Sequence, residues 1–308
     1  MLSKRLSAHL ALLFCNIIWA CDYPFYNLVL GRYVSPLAMV TASLVVAALL
    51  SLVPLLWERP ERVEPKDRVK IIGAALLMGV TRKLCMMYGL TATSPIDGSI
   101  ISTSTPLLVL ILSVVLGVER FTKMRSLGLL MGLAGTLAII LLSNNGATAD
   151  SPKHYVALGN ILIFTSSCVS ALYMVWYKGL VAKYRITTLL RWIYCLSAFV
   201  MLPFGAHEVA AIEFSSMDTL ILCATLFVLI VPTYLPNLLL NLSLRSLPPT
   251  VSSIYSYLQP IVATGLAVAM GIDRLHADTI LFAVVVFAGV AIVIASYKVQ
   301  RNGVNRAT

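Results

Sequence analysis

Charge is scarce in this sequence. Of its 308 residues only 12% are Asp, Glu, Lys or Arg, against about 25% in soluble domains, and no stretch is polar for long enough to build a soluble domain. The motifs of several common chemistries are missing too. Without a G-x-x-x-x-G-K-[ST] loop the chain has no P-loop for ATP hydrolysis. Without H-E-x-x-H, G-x-S-x-G or a pair of intramembrane aspartates it lacks the groups that zinc, serine or aspartyl hydrolases need. The six cysteines form no C-x-x-C pair and the four histidines are far apart, so neither a metal nor a cofactor is expected. No enzymatic activity is expected.

Apolar sequence dominates: 59% of residues are hydrophobic and the mean hydropathy is +0.90. A bilayer core of about 30 Å needs roughly 20 apolar residues per helix. Ten such runs are predicted, at 9–30, 36–57, 70–91, 98–118, 126–143, 155–177, 187–206, 218–242, 251–271 and 279–297. The start, MLSKRLSAHLALLFCNIIWAC, imitates a cleavable signal peptide, but bulky Trp19 sits beside the supposed cut and the apolar run continues past it. It reads better as the first span.

The net charge of +10 has a membrane explanation. With both termini cytoplasmic, 18 of the 23 cations fall in inner segments, among them Arg59, Arg62, Lys66, Arg68, Lys178, Lys183 and Arg185. Only Arg32, Lys153 and Arg274 fall outside, which is the positive-inside pattern. Nucleic acid is not an expected partner. An internal repeat appears when residues 94–120 are laid on 247–274 at an offset of 154: Pro95 falls on Pro249, Ser102 on Ser256, Pro106 on Pro260, Gly117 on Gly271 and Arg120 on Arg274. Five spans per half is an odd number, so the halves must be inserted with opposite orientation, as in secondary carriers whose site lies where the halves meet. The fold expected is an all-α integral membrane protein of ten helices, in two inverted five-helix repeats around a central cavity. Its units are 1–143 and 154–308, joined by a linker at 144–153.

A proline, about a dozen apolar residues, GVER and the glycine-rich GLLMGLAGTLAII, followed in the second half by P…GIDR…GVAIVIA, resemble the paired EamA domains of the drug/metabolite transporter superfamily. The resemblance covers nearly the whole chain. It implies ten helices with cytoplasmic termini around a central cavity, and export of small metabolites such as amino acids. Asp273 stands where the family more often has Glu, and an Arg-Lys pair in the third span is not part of the general family pattern.

That pair, Arg82 and Lys83, sits near the middle of the third span. Two cations at a helix centre cost roughly 6 kcal/mol, while the span's seven Leu, Ile and Val residues return roughly 3. The cations must therefore face protein or water. Asp22 is expected at matching depth, about 20 Å beyond His9, with Arg82 about 18 Å beyond Lys70, so Asp22 is predicted to approach Arg82 or Lys83. At about 100° per residue, Asn16, Trp19, Asp22, Tyr23 and Tyr26 gather on one face of the first span. Ser102 lies on such a face of the fourth span, Tyr173 and Tyr177 of the sixth, Thr233 and Asn237 of the eighth, Tyr255 and Gln259 of the ninth. These fourteen residues are the candidate cavity lining. Aromatic rings, hydroxyls and amides with both charge signs suit a zwitterion, its carboxylate at Arg82 or Lys83 and its ammonium at Asp22 or an aromatic face. A single carboxylate cannot supply the oxygen shell of a divalent metal.

The function expected is a carrier, and an exporter, of small organic solutes such as amino acids, working by alternating access. A phosphorylated-metabolite or nucleotide-sugar-like anion carrier is the alternative within transport; a membrane scaffold or intramembrane enzyme is the alternative outside it. The partners expected are the solute and the lipid bilayer, and the setting a bacterial inner membrane with the protein as a multi-pass monomer.

Overall fold

The computed structural model describes residues 4–117, 122–142, 153–274, 277, 279–289, 291, 292 and 295. The linker at 144–152, Glu119 and Arg120 of GVER, and the basic residues after 297 lie outside them. The described residues are helical, apart from turns and one isolated bridge between Leu30 and Val34. Helix α1 is Lys4–Val29 and α2 Pro36–Leu52. The third span is composite: α3 (Pro65–Ala74), a π turn (Ala75–Thr81) and α4 (Arg82–Leu90). Then come α5 (Pro95–Ser102), α6 (Thr105–Val115), α7 (Lys123–Leu142), α8 (Lys153–Trp176), α9 (Lys178–Lys183), α10 (Ile186–Ala210) and α11 (Thr219–Ser246). Helix α12 (Pro249–Ile254), a 3-10 turn at Tyr255–Tyr257 and α13 (Leu258–Ala269) make the ninth element, and α14 (Thr279–Gly289) follows.

Eight of these helical segments are long and apolar enough to cross a membrane. The fifth and tenth runs appear among the described residues as shorter apolar stretches, Ser126–Ile139 and Thr279–Gly289. Large apolar side chains such as Phe14, Leu49, Leu56, Phe199 and Phe204 are exposed on the outer faces, as a surface solvated by acyl chains requires.

Three helix starts carry side-chain caps. Ser35, Ser94 and Asp218 accept from the backbone N–H groups of Ala38, Asp97 and Ile221, and Pro36 and Pro95 occupy the first turns that need no donor. Interruptions follow from prolines. Pro106 and Pro260 lack an N–H, so the carbonyls of Ser102 and Ser256 lose their helical donor. The chain breaks between α5 and α6 and between α12 and α13, at those serines or just past them. The two broken helices even end alike. Gly117 and Gly271 take φ of 71° and 67°, each donating to the carbonyl three residues back, a left-handed helix end that only glycine adopts without strain.

The π turn has a cause on a neighbouring helix. Ser197 Oγ donates to Ala75 O at 3.0 Å, and a Cβ on Gly79 would lie 1.9 Å from that oxygen. Glycine leaves room for the hydroxyl to enter the helix ladder, and the ladder widens by one residue.

Packing then assembles the site. Helix α1 runs antiparallel to α11: Ser243 donates to Ala8 O, Cys15 to Pro236 O, and Tyr26 to Val228 O, the carbonyl that Pro232 leaves without a helical donor. Helix α4 lies on α8 through two glycines, because a Cβ on Gly89 would stand 2.9 Å from Gly159 O and one on Gly159 2.8 Å from Gly89 O. The buried apolar residues form two large clusters. One includes Tyr23, Tyr26 and Val29 of α1, the other Ala8, Leu12 and Cys15. The polar stretch Asn16–Asp22 sits between them.

Candidate functional site

Two small cavities meet at this polar stretch. The first has about 60 Å³ open to water-sized centres, room for a few waters at about 10–15 Å³ each. The second has about 40 Å³. Trp19, Tyr23, Arg82, Met86 and Gln259 line both and form the partition. The first cavity is completed chiefly by serines: Ser102 at the first helix break, Ser166, Ser167 and Ser170 of α8, and Ser252, Ser253 and Ser256 at the second break. The second is completed by Asp22, Tyr26, Lys83, Met87, Pro232 and Asn237.

Hydrogen bonds hold the partition. Tyr23 donates to Ser102 Oγ at 2.6 Å, and Gln259 Nε2 donates to Asn16 Oδ1 at 2.8 Å. Gln259 Oε1 stands 3.4 Å from the Tyr23 hydroxyl. One tyrosine on α1 thus bridges both broken helices. Arg82 donates through Nε to Ser170 Oγ at 2.9 Å and stacks its guanidinium 5.2 Å from the Trp19 ring centre, a cation–π contact. Among the described residues no carboxylate is in ion-pair contact with it. Lys83 is 7% exposed and donates to Ser43 Oγ at 2.7 Å. Asp22 is 6% exposed, and its Oδ1 has no hydrogen-bond partner.

Ten of the fourteen candidates line these cavities: Asn16, Trp19, Asp22, Tyr23, Tyr26, Arg82, Lys83, Ser102, Asn237 and Gln259. Four lie off the walls. Tyr173 donates to Asn241 Oδ1 at 2.9 Å and stacks on Tyr177 at 5.6 Å, both inside an apolar cluster. The Thr233 hydroxyl turns back to Ile230 O at 3.0 Å. Tyr255 sits in the 3-10 turn, where helical spacing from Ser252 no longer holds, and its hydroxyl is 2.7 Å from His9 Nδ1. Asp22 approaches both cations, as expected, since the three line one cavity, although each cation is hydrogen-bonded to a serine. The walls missing from the candidate set are the hydroxyl residues Thr105, Ser166, Ser167, Ser170, Ser252, Ser253 and Ser256, together with Pro232, Leu240 and the methionines Met78, Met86, Met87 and Met174. No polar stripe marks a methionine, since its thioether counts as apolar yet fits irregular cavity walls.

Bundled apolar spans around a small charged and hydroxylated interior are the features of a solute carrier, and the model of the EamA-like transporter family matches residues 6–141 and 157–295. The chain belongs to the EamA-like transporter family. It is therefore a multi-pass membrane protein of a transporter family. Its relatives include the uncharacterized transporter YyaM of Bacillus subtilis, 22% identical over 291 residues, 93% of each chain. YetK, another uncharacterized transporter of that organism, is 26% identical over 180 residues, 58% of this chain and 54% of YetK. An uncharacterized transporter of Archaeoglobus fulgidus is 24% identical over 173 residues, 56% of this chain and 58% of its own length. The chain thus spans little more than half of YetK and of the archaeal relative. A solved crystal structure, 18% identical, superposes on 95% of this EamA-family chain and 99% of its own with a TM-score of 0.65, a likeness of fold alone.

Proposed function

We propose that this EamA-family protein carries a small zwitterionic solute such as an amino acid across the membrane by alternating access, in the direction of export. The observation that carries this reading is Arg82: a guanidinium on the wall of both cavities, held by a serine and an indole. Its fork geometry suits a carboxylate. Asp22 and the rings of Trp19 and Tyr26 supply the counterpart for an ammonium group. The small cavity volumes favour an amino acid over a nucleotide-sugar-like anion.

Ten spans in two inverted halves, 1–143 and 154–308, fit this mechanism. The reading is supported by the paired helix breaks, the paired Gly117 and Gly271 ends, and the antiparallel packing of α1 on α11 and of α4 on α8. The positive-inside pattern supports cytoplasmic termini in a bacterial inner membrane, and a monomer suffices because both halves lie in one chain. Counterflow of labelled amino acids in proteoliposomes tests the proposal. Accumulation by the wild type and its loss in Arg82→Ala is the expected result; equal accumulation in the two would remove Arg82 from the solute path.

A further inference from the structure

The serine-walled cavity holds two hydroxyls that nothing in the protein uses. Of its serines, Ser102 donates to Gly98 O and accepts from Tyr23, and Ser167 donates to Ile163 O. Ser170 donates to Ser166 O and accepts from Arg82, and Ser253 donates to Thr250 O. Ser252 and Ser256 differ. They are 1% and 8% exposed, and neither side-chain oxygen has a hydrogen-bond partner. Both line the cavity from the broken ninth element, and Arg82 belongs to the same wall set. A hydroxyl can both donate and accept, so the two unpartnered hydroxyls match a hydroxyl or amide on a ligand. The same cavity is also lined by Met78, Met86, Met174 and Leu240, which suit a short aliphatic stem.

We propose that Ser252 and Ser256 form a specificity subsite that reads a hydroxyl or amide on the solute, so that the carrier prefers solutes with a short, uncharged polar side group to their apolar isosteres. This deepens the carrier reading above and rests on it for the charged head group at Arg82. A buried hydroxyl left unpaired is costly, so a solute lacking the matching group forfeits about tenfold in affinity.

The test measures ligand-induced thermal stabilisation of the purified full chain with two pairs of probes, the first differing by one hydroxyl and the second by two. L-serine is compared with L-alanine, and glycerol 3-phosphate with propyl phosphate. The expected result is half-maximal stabilisation by L-serine at about a tenth of the L-alanine concentration. That ratio should fall towards one in Ser252→Ala and Ser256→Ala and be restored in Ser256→Thr, with all variants melting near the wild type without ligand. If a variant misfolds, the wild-type ratios decide. Equal stabilisation within whichever pair binds overturns the subsite. Stabilisation by the phosphate pair alone, with glycerol 3-phosphate stronger, supports the subsite and overturns the zwitterion reading. No stabilisation by any probe overturns both.

Discussion

The two cavities share the Trp19–Arg82 partition, yet one is walled by hydroxyls and the other holds both Asp22 and Lys83. Arg82 and Lys83 are chain neighbours about 100° apart on the helix, so they serve different surroundings. Lys83 shares its cavity with a carboxylate and is tied to Ser43 of α2. Arg82 lines both cavities, the one that holds Asp22 included, and is held by Ser170 and Trp19. Under the proposed function, the cation that reaches both cavities is the one that meets the solute.

The largest effect is expected from Arg82→Ala, which should lower amino acid counterflow about a hundredfold, as loss of a partner from a buried charged contact does. Arg82→Lys should recover little, because an ammonium has neither the fork nor the flat face that rests on Trp19. A lysine variant as active as the wild type would reduce Arg82 to a point charge. Next is Gly89→Leu, which wedges α4 from α8 and pulls Arg82 away from Ser170. Overpacking of this kind costs about 1–3 kcal/mol, seen as a lowered melting temperature, and counterflow should fall with it. Unchanged melting would mean that the two helices can part without loss.

A smaller and more selective change is expected from Asp22→Asn. It keeps the shape of the charged cavity but removes its negative charge, so competition by a simple monocarboxylate should strengthen relative to a zwitterion by a few-fold to about tenfold. An unaltered ratio would separate Asp22 from head-group recognition.

The smallest effect is expected at the start of the third span, where Lys183 pairs with Asp67 at 2.6 Å and with Glu64 at 2.7 Å. Lys183 is held above its ordinary range chiefly by Asp67 and then Glu64, and Glu64 below its own by Lys183 and Lys66. The Glu64 contribution is present above the ordinary carboxylate value and lost as pH falls through its lowered one. The Lys183 contribution is present below the ordinary ammonium value and lost as pH rises through its raised one. Lys183→Met should therefore lower the melting temperature slightly by an amount constant from about pH 5 to 10 and shrinking below about pH 4. A difference that grows in acid would contradict the pairing.

Much of this was legible beforehand because bilayer physics leaves few choices. Arg82 and Lys83 had to turn inward, and residues 16–26 of α1 had to present their polar arc to protein. Tyr255 was misjudged because a stripe drawn at helical spacing assumes an unbroken helix, and the 3-10 turn before α13 breaks it. The approach of Asp22 to Arg82 and Lys83 was legible from depth along two helices, but the serine partners of the two cations were not, because depth says nothing of which facing side chains meet. The π turn before Arg82 was invisible because its cause, Ser197, lies more than a hundred residues away.

By itself the sequence determined that this chain spans a membrane, repeats its prolines and glycines at a spacing of 154 residues, and must shelter two cations. These follow from local chemistry: hydropathy, missing N–H donors and the cost of charge in lipid. Only the tertiary structure decided that the polar interior divides in two at Trp19 and Arg82, that the cations take serine partners, and that Ser252 and Ser256 are left unpaired. Those outcomes depend on which distant side chains meet, and no local rule of spacing carries that information.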